Sequence, residues 1–319
     1  AFSAIEATLA DAGGMQPQAL FAGNMLAPQL SHQAHVGVLL ADFAGLTGIE
    51  AVTVEAAGAS GGAALRMGYL AVLSGQVDTA LVVGVEKFTD QVGASVEAAL
   101  ATSGDSDYEL MQGMTPTAQA ALLMRRYMHE TGAARSAFAG FPLTAHQNGA
   151  TNPNAMFRKA ISPEAYNRAG LVSDPLNMFD VAPLADGAAA VLLTRRELLP
   201  ENFIHPLVRI SGSAIAVDTL ALHDRPAPLI WDAARRSIEQ ACRKAGCTPG
   251  QVDLFEAYDA YSAYGLLSLE AAGFAERGQG WKLAQNGGSP LGGFPPGSTF
   301  GGLKGPGEPG ARAIGDAAM

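Results

Sequence analysis

A strand that runs directly into a helix is a place where chemistry is readily built. The first helical turn leaves N–H groups unpaired and carries a partial positive charge, and both favour a nucleophile at the bend. The segment AVTVEAAGASGGAAL has this form, with a strand-like run from Ala51 to Glu55 and a helix opening on small residues at Ser60. The bend carries Ala57, Gly58 and Ala59, none of which has a nucleophilic side chain. Ser60 is the nearest hydroxyl, and no histidine is identifiable as its base. Two further groups have the chemistry of hydrogen-bond donation or proton transfer. Tyr258, in VDLFEAYDAYSAYG, offers a phenol that donates a hydrogen bond, with Asp259 beside it. Glu308, in GPGEPGA, offers a carboxylate that suits a base better than a clamp for a developing oxyanion, which an anion would repel.

The remaining reactive residue types are sparse. Cys242 and Cys247 are the only cysteines and fall at the end of an amphipathic helical pattern, ACRKAGC. No further Cys or His ligand accompanies them, so they read as packing thiols and no metal site is predicted. His32 and His35 likewise lack metal-ligand company and read as helix-surface residues. Met111, Met114 and Met124 have the adaptability of apolar packing.

Elements must hold these residues in place, and an internal duplication shows how. AIEATLADAGGMQPQALF (4–21) echoes SIEQACRKAGCTPGQVDLF (237–255), with Ile5, Glu6, Ala12, Gly13, Leu20 and Phe21 matching Ile238, Glu239, Ala245, Gly246, Leu254 and Phe255. Each copy reads as a helix closed by glycine, a turn and a buried strand. The second copy follows a strand-like run, LVRISGSAIAV (207–217), which the first copy lacks. The complete fold is therefore expected to carry a strand ahead of Ala1 and more chain beyond the second Gly-rich segment. Ala51–Glu55 and TALVVGV (79–85) read as buried strands around the helix from Ser60 to Ser74, and DPLNMFDVAPLADGAAAVLLT (174–194) ends in another. Apolar strands alternating with helices predict an α/β protein with predominantly parallel sheets. Two halves, 1–197 and 206–319, are expected, with a loop excursion at about 88–173 over the site and a proline-bearing link between them.

Composition excludes several classes. Of 319 residues, 48% are hydrophobic and 16% charged, which excludes a disordered chain and fits extensive burial, including burial against a partner. A net charge of −10 without a basic run excludes nucleic acid as the expected partner. No apolar stretch reaches the roughly 18 to 20 residues that span a bilayer, and a soluble cytoplasmic protein is expected.

The string from Val54 to Phe88 resembles the nucleophile segment of the thiolase superfamily, in which a cysteine sits at the strand-to-helix bend, here the position of Gly58. The resemblance continues through HQNGATNPNAMFRKAI (146–161), DVAPLADGAAAVLL (180–193), the Tyr258 segment and STFGGLKGPGEPGA (298–311), nearly the whole chain in family order. It implies the thiolase fold, a layered α-β-α-β-α arrangement of duplicated halves related by a pseudo-twofold axis, and a homodimer through the strand around Ala51–Glu55. The nearest branch is the sterol-carrier-protein and lipid-transfer-protein-like one. Its His-Asp-Cys-Phe or His-Asp-Ala-Phe motif is here Tyr258-Asp259-Ala260-Tyr261, and Glu308 replaces the histidine of its Gly-His-Pro segment.

These departures are chemically coordinated, since an enzyme that forms no acyl-cysteine needs neither the cysteine nor its activating histidine. The resemblance to the steroid side-chain aldolases of that branch implies retro-aldol cleavage of a bulky β-hydroxyacyl-CoA, such as a steroid side-chain thioester. It also implies a small partner with an OB-fold and zinc ribbon. No cofactor is expected beyond the CoA carried by the substrate. Tyr258 and Glu308 are the expected catalytic pair, which of them is acid and which base being left open. Glu308 departs from the tyrosine expected at the second site. Gly58, His146, Met111, Met114 and Asp259 are expected to border the substrate. Simpler roles stand beside these: Tyr258 as a packed aromatic, Glu308 as a solvated loop carboxylate, His146 as a hydrogen-bonded structural histidine, and Asp259 as a residue that orients the strand-to-helix turn or caps the following helix. A non-catalytic acyl-CoA-binding subunit, and an acyltransferase with another nucleophile, are the rival functions.

Overall fold

A computed structural model of the chain describes residues 1–285. The first elements are α1 (Phe2–Asp11), β1 (Ala19–Gly23), α2 (Ala27–Leu30), α3 (Val36–Phe43), β2 (Glu50–Val54), α4 (Ser60–Ser74), β3 (Thr79–Glu86) and α5 (Ala94–Ala101). They are followed by α6 (Pro116–Thr131), α7 (Gly140–Gly149), α8 (Pro163–Arg168), β4 (Leu171–Ser173), β5 (Leu176–Asn177) and β6 (Gly187–Thr194). The last helices are α9 (Asp232–Ala245), α10 (Ser262–Ala271) and α11 (Gly280–Gln285). Among the described residues, no helix is long and apolar enough to cross a membrane. The chain divides into two compact units. Among the described residues, one is Ala1–Ala99 with Leu184–Ile210, and the other is Leu100–Pro183 with Ser211–Gln285.

The first unit is built on a sheet of order β2-β1-β3-β6, parallel except for β6. Strand β1 is buried along its whole length, so alternate residues must find apolar cover on opposite faces. Leu20, Ala22, Leu81 and Val83 pack under α1 and α3 through Ile5, Val36 and Leu40. Ala19, Phe21, Ala80 and Val82 pack on the other face with Ala64 and Val72 of α4. Helix α4 reaches the sheet closely because glycines face it. A Cβ on Gly23 would stand 2.7 Å from the Ser60 carbonyl oxygen, and one on Gly68 would stand 2.6 Å from Val82 Cγ2.

Strand β2 was expected to be buried but forms the sheet edge, with Val52 46% exposed. Its ladder is paired on one side only, with β1. The two copies of the sequence repeat share their helix and its stop. Left-handed glycines follow both helices, Gly13 at φ 63° after α1 and Gly246 at φ 71° after α9. They differ beyond the stop. The first copy continues into β1, whereas 252–258 forms no strand, and neither does the strand-like run 207–217. A strand exists only through ladder partners. In the second unit the described strands β4 and β5 pair with each other, and Val217 is 87% exposed.

The second unit is a helical assembly in which α6, α10 and the segment around Phe138 share a core of Met124, Tyr127, Phe138, Leu176, Tyr261 and Leu266. The excursion from residue 100 to 183 belongs to this unit.

The approach of α4 to β1 generates the first prediction. Gly23→Ala places a methyl group against backbone atoms that cannot rotate away, with the Gly61 Cα at 2.8 Å as well. The substitution should destabilise the protein by about 1–3 kcal/mol in denaturant titration. An unchanged unfolding midpoint would show that α4 can slide along the sheet.

Candidate functional site

Chemistry-bearing residues occur in each unit. In the first, the junction between β2 and α4 is turned by Ala57, whose φ of 49° is the left-handed step, so that step falls on Ala57 and not on Gly58. Ser60 closes the turn. Its hydroxyl donates to the Ala57 carbonyl at 2.6 Å and accepts from the Ala56 N–H at 2.9 Å. The side chain is buried and both hydroxyl roles are spent on the backbone, a structural assignment for the one hydroxyl near the bend.

Glu86 lies at the end of β3, level with the carboxyl end of β1, the end at which parallel α/β sheets hold their ligands. Its Oε1 accepts the N–H groups of Met25 at 2.5 Å and Leu26 at 3.2 Å, while Oε2 is buried with no hydrogen-bond partner. Burial raises the carboxyl pKa above its ordinary range, against the lowering effect of the two N–H donors. Asn24 braces the same corner, donating from Nδ2 to the Val85 carbonyl and accepting the Ala27 N–H.

In the second unit Tyr258 precedes α10 and is 43% exposed. Its carbonyl accepts the Ser268 hydroxyl at 3.0 Å, and its ring lies 5.8 Å from that of Tyr264. Tyr264 in turn stacks at 4.9 Å on Tyr261 and at 5.0 Å on Trp231. Desolvation raises the Tyr264 pKa well above the usual phenol value and keeps it protonated. The Tyr261 hydroxyl meets Thr117 Oγ1 at 3.0 Å. The tyrosines thus form a continuous aromatic row with Tyr258 at its exposed end.

Asp259 does not occupy the capping position expected of it, because the N-cap of α10 is Tyr261. The first N–H of the helix, that of Ser262, is taken at 2.9 Å by the carbonyl of Asp180. Asp259 instead stands opposite Gly265, where an added Cβ would come within 3.4 Å of its own. His146 is buried on α7. Its Nδ1 lies 2.9 Å from the Lys159 carbonyl, and its ring packs at 5.6 Å against Phe179 and 5.9 Å against Phe157. Met111 is 74% exposed and Met114 is half-buried. Gly58 belongs to the first unit, whereas Tyr258, Asp259, His146, Met111 and Met114 belong to the second. Glu308 lies outside the described residues.

Sequence reasoning did not single out Glu86, Asp180 or Ser262. Asp180 is fully buried, and its carboxylate gathers Tyr166, Asn177 and Ser262. A lone Asp in a proline-bearing apolar segment gives no spacing signal, and its partner Ser262 is 82 residues away.

Comparison with known proteins is consistent across the chain. Residues 2–197 match the family described as thiolase, N-terminal domain, and residues 214–317 match the thiolase C-terminal domain-like family. An acetyl-CoA acetyltransferase of Methanothermobacter thermautotrophicus is 40% identical over 311 residues, 97% of this chain and 80% of that protein. A 17-hydroxy-3-oxo-4-pregnene-20-carboxyl-CoA lyase of Mycobacterium tuberculosis is 27% identical over 77% of this chain and 67% of its own length. Among solved structures, an Ltp2-ChsH2(DUF35) aldolase superposes with a TM-score of 0.79 over 97% of this chain and 80% of that one. At 23% identity that likeness speaks for the fold alone.

The half-satisfied Glu86 carboxyl makes a pH-dependent prediction. Because the folded state holds this proton more tightly than the unfolded chain, Glu86 favours folding in acid. That contribution is lost as pH rises from the ordinary carboxylate range through the raised folded value. Glu86→Gln keeps the acceptor for Met25 and Leu26 and removes the charge. The variant should exceed the wild type in stability by about 1–3 kcal/mol near neutral pH and match it in acid. Thermal unfolding curves separated by the same amount at both pH values would contradict this.

Proposed function

The chain belongs to the thiolase family, and on that premise we propose that it is a carbon–carbon lyase acting by retro-aldol cleavage on a bulky β-hydroxyacyl-CoA, without an acyl-cysteine intermediate. The observation that carries this reading is the strand-to-helix junction. Gly58 stands where the resemblance places the family's cysteine, and the one hydroxyl beside it, on Ser60, is committed to the Ala56 N–H and the Ala57 carbonyl. The junction therefore offers no free side chain to carry the acyl moiety covalently.

Retro-aldol chemistry does not require one. A base takes the β-hydroxyl proton, the bond between the α and β carbons breaks to leave a carbonyl product, and the electron pair passes to the thioester enolate, which is then protonated at carbon. Tyr258 has the chemistry for one of these transfers or for holding the enolate oxygen by a hydrogen bond. Its exposure and its place at the end of the aromatic row suit contact with a substrate. Glu308 is proposed for the other transfer, as a base. CoA enters with the substrate, and no separate cofactor is required.

The mycobacterial lyase supports a steroid-like acyl group, and the aldolase's DUF35 partner is in keeping with a small partner of OB-fold and zinc-ribbon type. The exposed edge strand β2 is proposed as the contact between two copies of the chain. A second reading, acyl transfer, is favoured by the 40% identity to the archaeal acetyltransferase. It needs a nucleophile other than a cysteine at position 58.

The test compares purified protein, alone and with a DUF35-type partner, on β-ketoacyl-CoA and tertiary β-hydroxyacyl-CoA substrates. Cleavage of the hydroxyacyl class alone is expected, whereas thiolysis of the ketoacyl class would favour acyl transfer and inertness toward both a binding subunit. Tyr258→Phe should retain acyl-CoA binding and lower turnover by about 10² to 10⁴. Unchanged turnover would return Tyr258 to a packing role.

A further inference from the structure

We infer that Asp180 is a positioning residue for Tyr258: its buried carboxylate fixes the turn from which Tyr258 and α10 both extend. The inference rests on the reading of Tyr258 as the residue that carries the proton or holds the enolate.

Asp180 is 0% exposed. Its carboxylate accepts the Ser262 hydroxyl at 2.6 Å, the Asn177 N–H at 2.9 Å and the Tyr166 hydroxyl at 3.0 and 3.2 Å to its two oxygens. Burial raises the Tyr166 pKa and keeps that phenol protonated, so it stays a donor. The backbone on either side joins in. The Asp180 carbonyl accepts the Ser262 N–H at 2.9 Å, the Ala182 N–H donates to the Ala260 carbonyl at 2.8 Å, and Val181 pairs with Tyr261 in an antiparallel bridge. Residues 180–182 and 260–262 are thus fastened through main chain and side chain together.

Two features connect this joint to Tyr258. A buried anion tolerates only arrangements in which its oxygens are met by donors, so the Ser262 side of the joint has little freedom to shift. Ser262 is also the first residue of α10, where the helix dipole favours an anion, and this fixes the direction of the helix as well as its start. Tyr258 lies immediately ahead of this fixed point. Its carbonyl is tied to Ser268, one further along the same helix, and its ring rests beside Tyr264. With the turn and the helix held, Tyr258 has few positions left to it. An apolar pair could pack such a joint as tightly, but would not orient it with the same directionality.

The test uses Ser262→Ala, which removes the side-chain bond and keeps the N–H that the Asp180 carbonyl accepts, alongside Asp180→Asn. Both should lower kcat by about 10- to 100-fold, with KM changed by no more than about twofold. In the Tyr258→Phe background the same substitutions should have almost no further effect, because what they disturb has already been removed. Equal losses of kcat in the two backgrounds would overturn the inference. Should Asp180→Asn fail to fold, Ser262→Ala carries the cycle alone. Amide hydrogen exchange separates this inference from the assigned reaction. Protection across 258–264 should fall by about tenfold or more in Ser262→Ala whether or not the wild type cleaves any substrate. Unchanged protection there would overturn the positioning role even in an active enzyme.

Discussion

Burial of β1 on both faces is the constraint from which the first unit follows. A strand whose five residues are all buried must have helices on each side, and the alternation of Leu20 and Ala22 with Ala19 and Phe21 assigns those helices to opposite faces. The parallel neighbours β2 and β3 then end at the same edge as β1. Gly23 lets the first turn of α4 settle against that edge, so the strand-to-helix junction is held to backbone precision at the carboxyl end of the parallel strands. Ser60 closes the turn there, and the bend itself carries no nucleophilic side chain.

The second unit follows a different logic. It joins distant stretches of chain through carboxylates that accept several donors, Asp180 and Glu109 buried and Glu270 partly so. Glu270 accepts from Tyr127 at 2.6 Å and from the N–H groups of Gly278 at 2.9 Å and Gly280 at 2.8 Å. Glu109 takes the N–H of Asp105 at 2.9 Å and of Leu222 at 2.7 Å. Asp180 does the same for the turn before α10. Each anion is met by donors from separate segments, which converts the desolvation of a charge into a specification of where those segments meet.

Much of this was legible from residue order, for identifiable reasons. The helix-glycine-strand pattern gave α1 and β1, the small residues after Val54 marked the start of α4, and Gly13 and Gly246 marked matching helix ends. The exposure of β2 was not legible, because periodicity reports that a strand is apolar but not whether it has one neighbour or two. The runs at 207–217 and 252–258 have strand composition yet form no strand among the described residues, since a ladder is a property of two segments. The candidate site divides in the same way. Gly58 and Tyr258 were singled out because the resemblance to the family pattern marks their positions. Asp180 and Glu86 were missed because their roles depend on hydrogen bonds to residues 82 and about 60 positions away, a separation no local pattern encodes.

The central claim is that this thiolase-fold chain handles acyl-CoA without a covalent acyl intermediate. Intact-protein mass spectrometry during turnover tests it most directly, with samples quenched in acid at intervals after mixing with β-hydroxyacyl-CoA and, separately, with acetyl-CoA. The account predicts the unmodified mass at every interval while carbonyl product accumulates from the hydroxyacyl substrate. A transient increase equal to the acyl group, mapped to Ser60 or to any other side chain, would contradict it.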